Sequence, residues 1–178
     1  MQRQKQLTDW LSSLFPNEKF TIEPASADAS FRRYFRATFS DGTTRVVMDA
    51  PPQHENCEPF LHVGKLFEDA GTHVPHVYAQ DLARGFLLLS DLGNTTYLHA
   101  LTKDNAKQLY GAATDALIRI QLASKPNELP PYDEVLLRRE LNLFPEWYIA
   151  KHLGVTLSDK QKAKLEEVFK RILANNLA

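Results

Sequence analysis

The stretch FRRYFRATFSDGTTRVVMD, residues 31–49, decides the fold class. Its first part, residues 31–39, is rich in aromatic side chains and favours an extended strand. Asp41-Gly42 is a strong signal for a β-hairpin turn, and residues 43–49 have the β-branched character of a return strand. The sequence therefore predicts an antiparallel hairpin, which Pro51-Pro52 ends because proline donates no ladder hydrogen bond.

Amphipathic helices are predicted on both sides of this hairpin. Apolar side chains recur at helical spacing in residues 3–15 and again in residues 58–70, where Gly71 suits the position after the last turn. Two further short strands are predicted. Residues 74–78 lead into the first, and residues 85–89 form the second. The first part of the chain thus carries a small sheet and one main helix between its strands.

The pattern becomes helical after Gly93. Residues 104–123 carry one apolar stripe, and Asp133 is a candidate N-cap for a helix that runs to about residue 152. Pro145 is expected to kink or split that helix, because proline removes a helical hydrogen bond. Residues 158–161, SDKQ, form a capping box for a last helix.

The composition is ordinary for a globular protein, with 178 residues, 43% hydrophobic and 24% charged. A formal net charge of −1 argues against a nucleic-acid or membrane partner, so Arg32, Arg33 and Arg36 are not predicted to bind nucleic acid. No apolar run approaches the roughly 20 residues that span a bilayer, and no apolar signal segment follows the N-terminal residues. The single cysteine, Cys57, excludes an internal disulfide and a cysteine-based zinc site. We therefore expect a cytoplasmic setting.

Several catalytic motifs are absent from the sequence. The seven glycines are too far apart for a G-x-G-x-x-G or Walker A loop, and no H-E-x-x-H occurs. The six histidines show no metal-ligand spacing, and none is followed by Gly-Asp or Arg-Asp. No metal site and no catalytic base are predicted within these residues.

Four blocks of sequence occur in a fixed order along the chain: 28–34 (DASFRRY), 47–52 (VMDAPP), 86–93 (FLLLSDLG) and 143–148 (LFPEWY). Together they resemble the aminoglycoside/choline-kinase-like phosphotransferases, and among these the bacterial amino-sugar kinases that act on an anomeric hydroxyl in cell-wall recycling. The resemblance implies an α+β, protein-kinase-like fold with a small mixed or antiparallel sheet. Residues 1–90 would form the nucleotide-binding N-lobe, and residues 91–178 the helical first part of a C-lobe.

The resemblance implies ATP as cofactor and a nucleotide site on the N-lobe. The implied contacts are Ala29, Ser30, Arg32, Arg33, Met48, Ser90, Asp91 and Leu92. The loop 28–30 would cover the phosphates, and Ser90-Asp91-Leu92 would be the hinge that adenine contacts. Arg32 and Arg33 project to opposite faces of an extended strand, so that one of them is able to turn toward phosphate. The other reading makes both of them surface arginines.

One departure from the kinase pattern concerns the strand lysine that binds the α- and β-phosphates. Met48 occupies the expected position and supplies no charge, so an arginine of the 32–33 pair is a candidate replacement. Glu55 and Glu58 would then lack the usual lysine partner. We favour reading them as acids at a helix start, where they suit the helix dipole.

The implied sugar contacts are Glu146 and Trp147, although Trp147 also fits a core stripe with Leu143 and Phe144. Phosphoryl transfer needs an aspartate that orients the attacking hydroxyl and groups that hold Mg²⁺. We expect both in a missing C-terminal half of the protein, with Mg²⁺ bound only in the full-length enzyme, and we expect this chain alone to be inactive. An aminoglycoside phosphotransferase and a non-catalytic, pseudokinase-like binding module remain alternatives.

Overall fold

The computed structural model describes residues 2–27 and 30–177, and these form two compact units that divide between Ser124 and Lys125. The strands are β1 (Phe20–Ala27), β2 (Arg33–Phe39), β3 (Thr44–Asp49), β4 (Val77–Asp81) and β5 (Phe86–Ser90). The helices are α1 (Gln2–Leu14), α2 (Glu58–Asp69), α3 (Tyr97–Ala100), α4 (Ala106–Ala123), α5 (Glu134–Leu143), a π-helix (Phe144–His152) and α6 (Asp159–Asn176). The contacts thus divide the chain after α4, whereas the proposed lobe boundary at residue 90 stays a prediction.

The five strands form one antiparallel sheet in the order β1-β2-β3-β5-β4. The predicted hairpin is confirmed, with Tyr34 opposite Met48 and Arg36 opposite Val46. Its turn is closed by Asp41, whose carboxylate accepts a hydrogen bond of 2.8 Å from the backbone N–H of Thr43. The α+β, kinase-like fold class predicted from the sequence is therefore confirmed.

The two faces of the sheet bury different clusters, because side chains alternate along each strand. On one face, Leu7, Trp10 and Leu11 of α1 pack against a cluster that includes Phe35 and Phe86. Burial of each large apolar side chain contributes about 1.5–3 kcal/mol. We call this the α1 face.

The opposite face, which we call the α2 face, buries Met48, Ala50, Cys57, Leu87 and Leu89. Phe60 and Leu61 of α2 pack against this cluster, together with Tyr34, Val46 and Val77. The helix begins at Glu58 and ends before Gly71, whose φ of 72° needs the freedom of glycine. The α2 face carries the candidate site described below.

Residues 125–178 contain the helices that the capping signals predicted. The Asp133 side chain accepts a hydrogen bond of 3.0 Å from the Leu136 N–H, and the capping box of Ser158 and Gln161 is present. The expected effect of Pro145 takes a particular form, since the backbone changes from α-helix to π-helix at Phe144. Proline has no N–H to donate, so the regular α-helical bonding pattern cannot pass through it.

Candidate functional site

A cavity of about 690 Å³ opens on the α2 face where β5 ends. Ser90, Asp91 and Leu92, the predicted hinge residues, line it together with Tyr34 and Arg36. The remaining lining residues are Ala25, Val46, Phe60, Pro75, Leu89, Gly93, Asn94, Thr95, Thr96 and His99. The structure thus brings the three hinge residues to one concave site, and their contact with adenine stays a prediction.

An ion pair fixes the segment after β5. Arg36 of β2 donates from Nε to Asp91 Oδ2 at 2.5 Å and from Nη2 to Asp91 Oδ1 at 3.0 Å. The Gly93 N–H donates to the same carboxylate at 2.8 Å. The hydrogen bonds from Arg36 are the main reason that the pKa of Asp91 lies well below its usual value. The Gly93 N–H lowers it further, whereas burial acts in the opposite direction. Asp91 is therefore a charged anchor within the cavity wall.

Sequence reasoning missed Arg36 as a site residue. Its spacing could have identified it, because Arg32, Tyr34 and Arg36 are two residues apart and therefore lie on the same face of an extended strand. Ser90 is also more constrained than the sequence suggests, since its backbone N–H donates to the His76 carbonyl at 2.8 Å and its hydroxyl accepts from the His76 N–H at 2.9 Å. These bonds tie the end of β5 to the segment that leads into β4.

Met48 is fully buried on the α2 face, opposite Tyr34 in the hairpin register. It belongs to the same apolar cluster as Leu87 and Leu89. Met48 therefore supplies no charge to this face, and its correspondence to the lysine position of the kinase pattern stays a prediction.

A second cavity, of about 630 Å³, lies along α2 and includes Arg32 in its lining. Arg32 Nε lies 3.1 Å from Glu55 Oε2, and the Phe31 backbone N–H donates to Glu55 Oε1 at 3.1 Å. The Phe31 ring also stacks on His54, with 4.4 Å between centroids. The reading of Glu55 as a helix-start acid is therefore wrong, because it precedes α2 and pairs with Arg32. Glu58 does occupy the first turn of the helix.

Arg33 lies on the α1 face, away from Met48. Its guanidinium forms hydrogen bonds with Asp49, one of them 3.1 Å from Nε to Oδ2, while Arg3 Nε donates to Asp49 Oδ1 at 2.6 Å. Asp49 is fully buried, so the two cations neutralise a charge that would otherwise be costly to bury. Arg33 and Arg32 are thus separated by the sheet, as their alternation predicts.

The glycine-poor loop between β1 and β2 is described only in part. Ala29, one of the predicted phosphate contacts, lies outside the described residues. Ser30 is exposed, and its hydroxyl accepts a hydrogen bond of 3.1 Å from the Arg32 N–H. Contact of this loop with phosphate stays a prediction.

Glu146 and Trp147 lie on the π-helix of the second unit. The Trp147 side chain is 56% exposed, and Leu143 and Phe144 are exposed too, so this stripe is not buried as a core within the described chain. The Lys151 ammonium lies 3.6 Å from the Trp147 ring centroid and covers one face of the indole. Contact of Trp147 and Glu146 with a sugar stays a prediction.

Within residues 2–27 and 30–177, no group of three or more His, Cys, Asp or Glu side chains is placed to hold a metal ion. No helix in this part of the chain is long and apolar enough to cross a membrane. Cys57 is buried, and desolvation raises the pKa of its thiol.

The chain belongs to the phosphotransferase enzyme family, whose profile matches residues 21–178. It is 50% identical over 177 residues to the N-acetylmuramate/N-acetylglucosamine kinase of Pseudomonas aeruginosa, in an alignment that covers 93% of this chain and 52% of that kinase. The enzyme of the same name from Pseudomonas putida is 46% identical over 99% of this chain and 55% of its own length. The one from Neisseria meningitidis serogroup B is 44% identical over 100% of this chain and 54% of its own length. The chain thus spans about half the length of these curated relatives.

Proposed function

We propose that this chain is the N-terminal, nucleotide-binding portion of an ATP-dependent amino-sugar kinase. The full-length protein would phosphorylate the anomeric hydroxyl of N-acetylmuramate or N-acetylglucosamine in the cytoplasm, as a step of cell-wall recycling. The observation that carries the proposal is the 44–50% identity, over at least 93% of this chain, to three relatives with that one name.

The α2 face supports the assignment of ATP as the second substrate. The cavity at Ser90–Gly93 is bounded by the apolar side chains of Val46 and Leu89 and by the exposed segment that follows β5, which suits a flat base that forms hydrogen bonds with backbone groups. The base would lie there, and the phosphates would extend along β2 toward Arg32. Phosphoryl transfer then depends on positioning and charge neutralisation rather than on covalent chemistry by the protein.

Mg²⁺ is not expected to bind to the two buried carboxylates of the first unit. Asp49 already accepts hydrogen bonds from Arg3 and Arg33, and Asp91 accepts from Arg36 and Gly93. Metal ligands need free carboxylate or amide oxygens. When bound in the full-length enzyme, Mg²⁺ would neutralise charge on the transferred phosphoryl group, and the described residues would contribute the base and phosphate contacts.

No His-Gly-Asp or His-Arg-Asp sequence occurs in the 178 residues, so the aspartate that orients the sugar hydroxyl is expected in the other part of the relatives. A chimera tests this directly. The matched region of the P. aeruginosa kinase is replaced by residues 1–178, and formation of the phosphosugar from ATP and each amino sugar is followed by mass spectrometry, beside the chain alone and the intact relative.

We expect the chimera to phosphorylate N-acetylmuramate or N-acetylglucosamine and the chain alone to be inactive. A folded chimera that is inactive on both sugars contradicts the proposed substrate class, and activity on kanamycin instead would assign the aminoglycoside alternative. Turnover by residues 1–178 alone would show that the missing aspartate is not required. The pseudokinase alternative, with which Met48 is compatible, predicts that the chimera binds ATP without turnover.

A further inference from the structure

Several arginines lie on or beside the sheet, and Arg3, Arg33 and Arg36 each use two guanidinium nitrogens in hydrogen bonds. Arg3 donates from Nε to Asp49 and from Nη2 to the Arg84 carbonyl, the latter at 2.6 Å. Arg33 uses Nε and Nη2 for Asp49, and Arg36 uses Nε and Nη2 for Asp91. None of these three guanidinium groups presents both terminal nitrogens to a further ligand.

Arg32 differs from these three arginines because both of its terminal nitrogens remain available for a ligand. Its Nε donates to Glu55 Oε2, and the structure records no partner for its two terminal nitrogens within the described residues. The side chain is 26% exposed, whereas that of Glu55 is only 12% exposed. Because a guanidinium binds an oxyanion through paired, parallel N–H groups, the terminal edge of Arg32 is a pre-oriented two-donor site for phosphate.

The position of Arg32 fits the path of a nucleotide from the hinge cavity. Phe60 and Pro75 line both the cavity at Ser90–Gly93 and the cavity that includes Arg32, so the two are neighbours on the α2 face. Arg32 precedes Arg36 by four residues of extended chain, which spans about 13 Å at roughly 3.3 Å per residue. A base at the hinge and a phosphate at Arg32 would therefore occupy the two ends of one strand face.

Glu55 connects this cation to the phosphate loop. One carboxylate oxygen accepts from Arg32 Nε, and the other accepts from the backbone N–H of Phe31, the residue that follows Ser30. The partly buried carboxylate therefore holds the guanidinium and the adjoining backbone in one arrangement. Loss of Glu55 would free Arg32 to sample other rotamers without removing its charge.

Building on the nucleotide binding proposed above, we propose that Arg32 binds the β- and γ-phosphates of ATP and that Glu55 is the positioning residue that aims its terminal nitrogens. The pair supplies the charge that Met48 cannot supply from β3. Arg33 has no part in phosphate binding, because it is committed to Asp49 on the α1 face.

The test compares ATP with adenosine, since only ATP carries the phosphates. Titrations of ¹⁵N-labelled 1–178 are followed by NMR, which detects weak binding through the amide signals of Ser90–Gly93. We expect the wild-type chain to bind ATP more tightly than adenosine. Arg32→Met is expected to weaken ATP binding at least about 10-fold, as loss of hydrogen bonds to a charged group does, and to leave adenosine binding unchanged. Arg32→Lys should restore part of the difference.

Glu55→Gln tests positioning, because it retains the size of the side chain and removes its charge. We expect a smaller loss of the ATP preference, and no further loss when it is combined with Arg32→Met, since coupled residues are not additive. Lys65→Met is the matched control: Lys65 lines the same cavity but is 63% exposed and pairs with Glu68 and Asp69. This variant should keep the wild-type ratio of affinities.

The possible failures are distinguishable. An Arg32→Met chain with dispersed amide signals and an undiminished preference for ATP overturns the proposal and leaves the nucleotide site in place. Loss of the ATP preference in Arg33→Met, but not in Arg32→Met, also overturns it. If the wild-type chain binds neither ATP nor adenosine, the proposed nucleotide site itself fails, and the role of Arg32 fails with it.

Discussion

The guanidinium of Arg36 forms two hydrogen bonds with the carboxylate of Asp91 across the sheet, with Nε 2.5 Å from Oδ2 and Nη2 3.0 Å from Oδ1. The pair joins the middle of β2 to the segment that follows β5, although 55 residues separate the two partners along the chain. Their side chains are only 22% and 7% exposed. The shape of the cavity at Ser90–Gly93 therefore depends on a charge pair that solvent screens weakly.

The first prediction concerns pH. The pKa of Asp91 is lowered in the folded chain, so its stabilising contribution is present above the unfolded pKa of about 3.9 and is lost as pH falls through the lower folded value. We expect Asp91→Asn to be less stable than wild type at pH 7, with the difference in free energy of unfolding shrinking between about pH 5 and pH 3. Urea unfolding at a series of pH values measures this. A difference that stays constant over the range would contradict the ion-pair account.

Much of the fold could be predicted from the sequence because its signals are local. Asp41-Gly42 predicts its hairpin, and the capping residues Asp133 and Ser158 predict helix starts, since each acts on backbone within a few residues. Alternation also predicts that Arg32 and Arg33 face opposite ways. It does not predict which of them faces the cavity, because that depends on how the whole sheet packs.

The contacts that sequence reasoning missed are long-range. Glu55 pairs with Arg32, 23 residues away in the sequence, and Asp49 pairs with Arg3, 46 residues away. No motif predicts either pairing, because each pair forms only once the strands have taken their register and the helices their faces. The π-helix that begins at Phe144 could not be predicted for a different reason. Pro145 predicts that the helix is disturbed, but it does not determine the form that the disturbance takes.

The second prediction concerns Gly85, which has a φ of 71° and lies against the end of β3. A Cβ atom there would lie 1.9 Å from the Ala50 carbonyl oxygen, and Ala50 N–H also donates to Gly85 O at 2.8 Å. Gly85→Ala is therefore expected to cost more than about 3 kcal/mol of unfolding free energy, because backbone has to move. Gly71 is the matched control, with a φ of 72° and open space around its Cβ position. Gly71→Ala should cost only about 1–2 kcal/mol.

Thermal and urea unfolding of both glycine variants measure this difference. Equal losses in the two variants would show that the φ value alone matters and that the close approach to Ala50 does not.

The third prediction concerns Asp49, whose side chain is fully buried between Arg3 and Arg33. Asp49→Ala leaves two cations without their shared carboxylate, and we expect a loss of about 3–5 kcal/mol, as for other buried pairs that lose one partner. Asp9→Ala is the control, because Asp9 is 62% exposed and its contact with Lys5 is 3.6 Å long. Its loss should stay within about 1 kcal/mol.

The Arg33→Met variant refines this test. Because Arg33 is half exposed and Arg3 remains beside the carboxylate, its loss should be smaller than that of Asp49→Ala. An Asp49→Ala protein as stable as Asp9→Ala would mean that the buried carboxylate contributes nothing to the fold.

The fourth prediction concerns Cys57, the residue that precedes α2 and is 5% exposed. Burial raises the pKa of its thiol, so the reactive thiolate is scarce at pH 8 and reagent reaches the sulfur only after local or global opening. We expect a thiol reagent such as Ellman's reagent to label the native chain at least about 10-fold more slowly than the urea-unfolded chain, with the rate rising as urea is added below the unfolding midpoint. Absorbance at the reagent's product band follows the reaction. Native and unfolded chains that react at the same rate would show that the start of α2, next to the Glu55–Arg32 pair, opens freely.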